Sequence, residues 1–133
     1  MKKGVLLNSE ICYEIAKIGH TQTITIGDAG LPIPNGVKRI DLAVTKQIPS
    51  FLDVLDAVLA EMKVEKIILA EEINEKSPGL KKQVLERFQQ KETASEFVKH
   101  SQFKKLTEES NVIVRTGETT PYANIILVSG VTF

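Results

Sequence analysis

The 133-residue sequence is 42% hydrophobic and 26% charged, which fits one soluble domain that buries roughly two-thirds of its unfolded surface. Seventeen Lys and Arg balance seventeen Asp and Glu, so no net field draws the chain to nucleic acid or to an anionic membrane. The single cysteine, Cys12, excludes an intrachain disulfide, and no apolar run is long enough for a membrane span or a signal segment. The cytoplasm is the expected compartment.

In chain order, Asn8 or Ser9 can cap a first helix whose apolar stripe is Ile11, Ile15 and Ile18. Cys12 and Ala16 flank the stripe, so Cys12 reads as small core packing rather than a reactive thiol. Gly19 suits the helix stop, and His20 leaves the helix as the chain turns into a strand, Thr23 to Ile26. That strand ends on Asp28, and a Gly/Pro loop follows from Ala29 to Gly36. Two prolines make this loop stiff, and an acid at a strand end beside it is a common ligand position in α/β proteins.

A second strand is expected over Ile40, Leu42 and Val44. Pro49-Ser50 then opens a helix, with Ser50 and Asp53 at capping-box spacing and Phe51, Leu55, Val58, Leu59 and Met62 on one face. Val64 to Ala70 reads as a buried strand. The pair Glu71 and Glu72 at its end reads as a solvated exit rather than a catalytic pair. Ser77-Pro78 starts a helix carrying Leu80, Val84 and Phe88. Thr93 to Val98 is a short strand, and Ser101 to Leu106 a short helix with Phe103 and Leu106 inward. His100 stands at that helix's N-terminal edge, where the dipole favours neutral imidazole. Asn111 to Val114 and Ile125 to Val128 are the last strands. Strands alternating with helices predict a single α/β domain over residues 1–133.

Several chemistries lack their signals. The sequence holds no Gly-x-Gly-x-x-Gly, Walker loop, Gly-x-Ser-x-Gly, Cys-x-x-Cys or His-x-x-x-His. His20, Asp28 and His100 have no metal-ligand spacing, and the absence of Trp speaks against base stacking. What remains suits proton transfer on a neutral polyol. Imidazole titrates near neutral pH, and Asp28 can orient a histidine or accept a proton. Tyr122 and Asn124, two apart at a strand start, are expected on one face, where the amide can meet hydroxyls. Each histidine also has a plain reading as a hydrogen-bonded structural residue.

Leu7-Asn8-Ser9, Gly19-His20-Thr21, the run from Asp28 to Pro34 and the run from Arg115 to Asn124 together resemble the D-ribose pyranase family, which is related to the fucose mutarotases. The likeness runs end to end, although residues 71–99 carry no motif. His100 is matched through His100-Ser101-Gln102-Phe103-Lys104. The resemblance implies a three-layer α/β/α domain around a mixed, roughly six-stranded sheet. It implies an isomerase that interconverts pyranose and furanose forms of D-ribose without metal or cofactor. His20 would be the proton donor, and Asp28, His100 and Tyr122-Ala123-Asn124 the sugar-binding groups. It also implies a homo-oligomeric ring, pentameric or stacked as a decamer, with sites near subunit contacts.

Ring opening needs a proton taken from the anomeric hydroxyl and one delivered to the ring oxygen. The open aldehyde then rotates and a different hydroxyl attacks. The expected assignment is His20 protonating the ring oxygen, Asp28 orienting it, and His100 as base ahead of water or Tyr122. A fucose-type mutarotase and a non-catalytic sugar-binding module are the alternatives. The tail Gly130-Val131-Thr132-Phe133 is expected to pack on a neighbouring copy, close to Tyr122 and Asn124, rather than fold back on its own core.

Overall fold

The computed structural model describes residues 1–89 and 92–133. Six strands form one sheet: β1 (Thr23–Gly27), β2 (Lys38–Asp41), β3 (Val64–Ala70), β4 (Ala94–Val98), β5 (Val112–Arg115) and β6 (Ile125–Ser129). Their order across the sheet is β2-β5-β1-β6-β3-β4. Every neighbouring pair is parallel except those that β6 makes with β1 and β3, which are antiparallel. The helices are α1 (Ser9–Lys17), α2 (Phe51–Leu59), α3 (Ile73–Lys76), α4 (Pro78–Glu86) and α5 (His100–Leu106).

Strand alternation sorts the side chains into two cores. Ile24, Ile26, Ile67, Leu69, Val112, Val114, Ile125 and Leu127 point to one face, where Ile11 of α1, Phe51 and Leu55 of α2 and Val84 of α4 cover them. Ile68, Ile113 and Ile126 point to the other, under Phe103 of α5 and Leu31 of the Gly/Pro loop. The expected α/β/α layering on a mixed six-stranded sheet is therefore the observed one. Thr25 lies on the thinner side, where its hydroxyl meets that of Ser110 at 2.7 Å.

Several local expectations need correction. The second strand stops at Asp41, because the Asp41 carboxylate accepts the Ala43 N–H at 3.0 Å and turns the chain. Val44 is consequently exposed in a small turn closed by Thr45 and Ile48. Gly117 lies beneath that turn, and a Cβ there would collide with the backbone of Thr45 and Ile48. Asn8, rather than Ser9, caps α1 by accepting the Ile11 N–H. That helix ends at Lys17 with Ile18 already extended, so no left-handed glycine stops it; Thr21 takes the positive φ of 67° instead.

Ser50 caps α2 by accepting the Asp53 N–H, but Asp53 does not close the box on the Ser50 backbone. Its carboxylate accepts the Ser50 hydroxyl at 2.7 Å. Ser77, by contrast, makes no side-chain cap on α4. Its hydroxyl donates to the Pro121 carbonyl at 2.7 Å and fastens the helix pair to the loop before β6. The short helix α3 was not expected from the sequence, and α5 begins one residue early, at His100.

Candidate active site

The topology gathers the polar candidates at one edge of the sheet. The parallel strands β1, β3, β4 and β5 all run toward that edge, and antiparallel β6 enters from it. Hence Asp28 after β1, Glu72 after β3, His100 after β4 and Asn124 before β6 converge. This is the carboxyl-end position at which open α/β sheets place ligands.

Asn124 is only 1% exposed and is bonded twice to Asp28. Its Oδ1 accepts the Asp28 N–H at 2.9 Å, and its Nδ2 donates to Asp28 Oδ2 at 3.1 Å. The other carboxylate oxygen of Asp28 accepts the Gly30 N–H at 2.8 Å. Both oxygens are thereby aimed before any ligand arrives. Gly27 permits the approach: a Cβ there would stand 2.6 Å from Leu31 Cδ2 and 3.2 Å from Asn124 Oδ1. The loop is held from outside as well, since Ala29 donates to the Glu118 carbonyl and accepts from Arg115 Nε.

Tyr122 and Asn124 do not share a strand face, because β6 begins only at Ile125. Tyr122 sits in a turn with φ of 60°, in the left-handed region. That turn swings its ring to the edge of His100, with centroids 5.1 Å apart and planes at 82°. Ala123 between them is fully buried, and its methyl belongs to the larger core. Glu118 braces this segment. Its carboxylate accepts the Phe51 N–H at 3.0 Å and both the N–H and hydroxyl of Thr120. Burial pushes the Glu118 carboxyl up, but the donors from Phe51, Thr120 and Thr119 outweigh it and hold it below the usual carboxylate range.

His100 completes the cavity. Its ring lies along Phe103 at 6.1 Å and 14°, and its Nδ1 is buried with no hydrogen-bond partner among the described residues. Asp28, Leu31, Pro32, His100, Tyr122 and Asn124 line a space of about 250 Å³. Burial and Lys104 push His100 below the ordinary histidine range, against the weaker opposing pull of Glu72 and Asp28. The neutrality expected from the helix dipole therefore has burial as its main cause. In an NMR titration the His100 ring should show a midpoint below about 6.5. Between the folded and unfolded midpoints the unfolded chain binds more protons, so this group's contribution is intact above that window. It is lost as pH falls through the folded midpoint. A midpoint at or above the unfolded value would contradict this burial.

His20 is not part of this cavity in its own chain. It precedes β1 while Asp28 follows it, and a five-residue strand alone spans roughly 16 Å. The expected orientation of His20 by Asp28 fails within one chain. Instead His20 Nε2 lies 2.9 Å from Glu65 Oε2 and the ring is half exposed. It faces a separate space of about 330 Å³ shared with Met62, Gly130, Val131 and Phe133. Among the described residues, no group of three or more His, Cys, Asp or Glu is placed to hold a metal ion. Nor is any helix among them long and apolar enough to cross a membrane.

Sequence reasoning missed Glu72, whose carboxylate accepts the His100 N–H through both oxygens at 3.0 and 2.9 Å. The pair Glu71-Glu72 is thus not simply a solvated exit: Glu71 is exposed, but Glu72 is committed. No sequence signal marks it, because the contact joins residues 28 apart.

Residues 1–132 match the model of the RbsD / FucU transport protein family. A relative from Actinobacillus succinogenes, named D-ribose pyranase, is 55% identical, with both chains covered in full. The solved structure of Bacillus subtilis RbsD complexed with D-ribose is 44% identical, superposes with a TM-score of 0.95, and is covered in full on both sides. The fucose mutarotase of Streptococcus pneumoniae, solved with L-fucose, shares the fold at a TM-score of 0.80 and 23% identity, again over both full chains. Sheet and sequence agree, and the chain belongs to the RbsD / FucU family.

Proposed function

We propose that this protein interconverts the pyranose and furanose forms of D-ribose by acid–base ring opening, at a site completed by a second copy of the chain. The observation that carries the reading is the cavity in which Asn124 locks Asp28 opposite the His100 ring, whose buried Nδ1 has no hydrogen-bond partner among the described residues. Such a cavity offers fixed acceptors and donors to sugar hydroxyls and holds no basic cluster for a phosphate. The full-length likeness to proteins named D-ribose pyranase and to a ribose-bound relative supports the same sugar.

Asp28 and the Tyr122-Ala123-Asn124 segment hold the ring, the last through Asn124 and the Tyr122 ring. Neutral His100 is suited to take the anomeric proton. His20 delivers a proton to the ring oxygen, and because it lies at the far end of β1 it must come from a neighbouring copy. Glu65, at 2.9 Å, orients it in place of Asp28. No carbon-bound proton moves and no redox change occurs, so proton transfer accounts for the whole reaction without metal or cofactor. The copies form a closed head-to-tail ring, pentameric or stacked as a decamer, and the cytoplasm is part of the same reading.

Saturation-transfer NMR with ribose and with fucose tests the reaction. Accelerated exchange of ribose pyranose and furanose signals is expected. Acceleration confined to fucose anomers would favour the mutarotase alternative that shares this fold, and no acceleration for either sugar would favour a binding module.

The tail supplies a test of assembly. Phe133 is fully exposed in the single chain, and Val131 beside it is partly so, both at the His20 end. Deleting residues 131–133 should weaken the ring in sedimentation and reduce exchange in parallel, while the far-ultraviolet circular dichroism keeps its α/β shape. A fully active monomer would refute the shared site.

A further inference from the structure

We propose that Glu72 is a positioning residue for the reaction: by capping the first turn of α5 from the β3–α3 turn, it fixes the His100 ring over the sugar cavity.

The argument starts from a short helix. At seven residues α5 is too short to hold itself, and its own N-cap, Lys99, makes no side-chain hydrogen bond. His100 is its first residue, so an uncapped α5 frays at the residue that faces the cavity. Glu72 removes that orphan donor by accepting the His100 N–H through both carboxylate oxygens, at 3.0 and 2.9 Å. Its own segment is anchored to the same place. Glu71 donates to the Val98 carbonyl at 2.7 Å, and Asn74 Nδ2 closes on the Glu71 carbonyl. The end of β4 and the start of α5 are therefore tied to one turn. With the backbone fixed, the imidazole lies along the Phe103 ring and meets the Tyr122 ring edge-on.

Charge gives Glu72 a second effect. The groups facing His100 are Lys104 on its own helix, Asp28 beyond β1, Glu72 in the β3–α3 turn and the Tyr122 ring. Glu72 and Asp28 favour imidazolium, whereas burial and Lys104 oppose it. Removing the Glu72 charge lowers the His100 titration further, whereas a hydroxyl or amide oxygen at the same place still caps the helix.

The inference rests on the reading of this cavity as the sugar site, and the test separates the two. The probe is D-ribose, observed with the His100 ring resonances of the full-length oligomer. In the unaltered protein, ribose should move the His100 signals; their indifference to saturating ribose would overturn the site reading and leave the helix cap untouched. Glu72→Ala should displace the His100 signals in the free protein, raise the ribose Kd about tenfold and slow exchange. Glu72→Gln retains an acceptor, so it should recover most of the affinity while lowering the midpoint of the His100 titration and of the pH–rate profile. Two results would overturn the proposal. One is Glu72→Ala with His100 signals and ribose Kd unchanged within twofold. The other, which stands even if the alanine variant fails to fold, is Glu72→Gln with the His100 titration and the rate profile both unmoved.

Discussion

His20→Ala is expected to abolish accelerated ring exchange while leaving ribose affinity within about tenfold, a loss of no more than ~1.4 kcal/mol. The two effects part because, in its own chain, His20 lies outside the cavity proposed for the sugar and reaches that site only from a neighbouring copy. It is half exposed, bonded to Glu65, and removed by the length of β1 from Asp28 and Asn124. Its side chain contributes nothing to the folded core, so stability and assembly should change little. A general acid contributes about 10²–10⁴-fold, and the reaction it serves already runs slowly in water, so its loss brings the rate close to the uncatalysed one. Mixing this variant with an Asp28→Ala variant should restore part of the activity, because some contacts in a mixed ring unite an intact His20 with an intact cavity. Full exchange activity in His20→Ala alone would end the donor assignment. No recovery on mixing, with mixed oligomers verified by mass, would end the shared site.

The second large effect belongs to Asn124. Asn124→Ala should lower stability by about 2 to 3 kcal/mol and weaken ribose binding by about a hundredfold. The amide is 1% exposed, and its loss leaves the Asp28 N–H without its acceptor in a nearly closed place. It also releases Asp28 Oδ2, which no other described residue holds. Binding then suffers twice, from the missing amide and from a carboxylate no longer aimed. Asn124→Asp is the informative companion, since it keeps an acceptor for the Asp28 N–H but sets one carboxylate against another. It should bind ribose no better than the alanine variant. Chemical denaturation and calorimetric titration measure both quantities. An alanine variant with ordinary stability and ordinary affinity would show that the Asp28–Asn124 pair does not shape the site.

Most of the layered architecture was legible because it depends on local pattern. Ile24-Thr25-Ile26, Val64 to Ala70 and Ile125 to Val128 announce their strands by alternation or by a bounded apolar run. Phe51, Leu55 and Val58 announce a helix by spacing. The failures come where long-range partners decide. Asp41 ends its strand through its own side chain and its pairing with Arg115. Ser77 gives up its cap for a carbonyl 44 residues away. The site was legible only in part for the same reason. Asp28, His100, Tyr122 and Asn124 do come together, but Tyr122 reaches His100 from a left-handed turn rather than a strand. His20 and Asp28 look adjacent in sequence, eight positions apart, yet an extended strand turns a short sequence interval into a long distance. Nothing local marks Glu72.

The inequality of the two cores bears on how such a protein can change. Among the described residues, twenty-two buried apolar side chains belong to the larger core and five to the smaller. Leu31 and α5, which frame the cavity, rest on the smaller one. Most of the apolar burial that stabilises the domain therefore lies across the sheet from the loop and the helix that carry Leu31 and His100. Substitutions in the Gly/Pro loop or in α5 reshape the cavity without reopening the larger core. A lineage can drift in sugar preference along this thin face while the thick face keeps the chain folded.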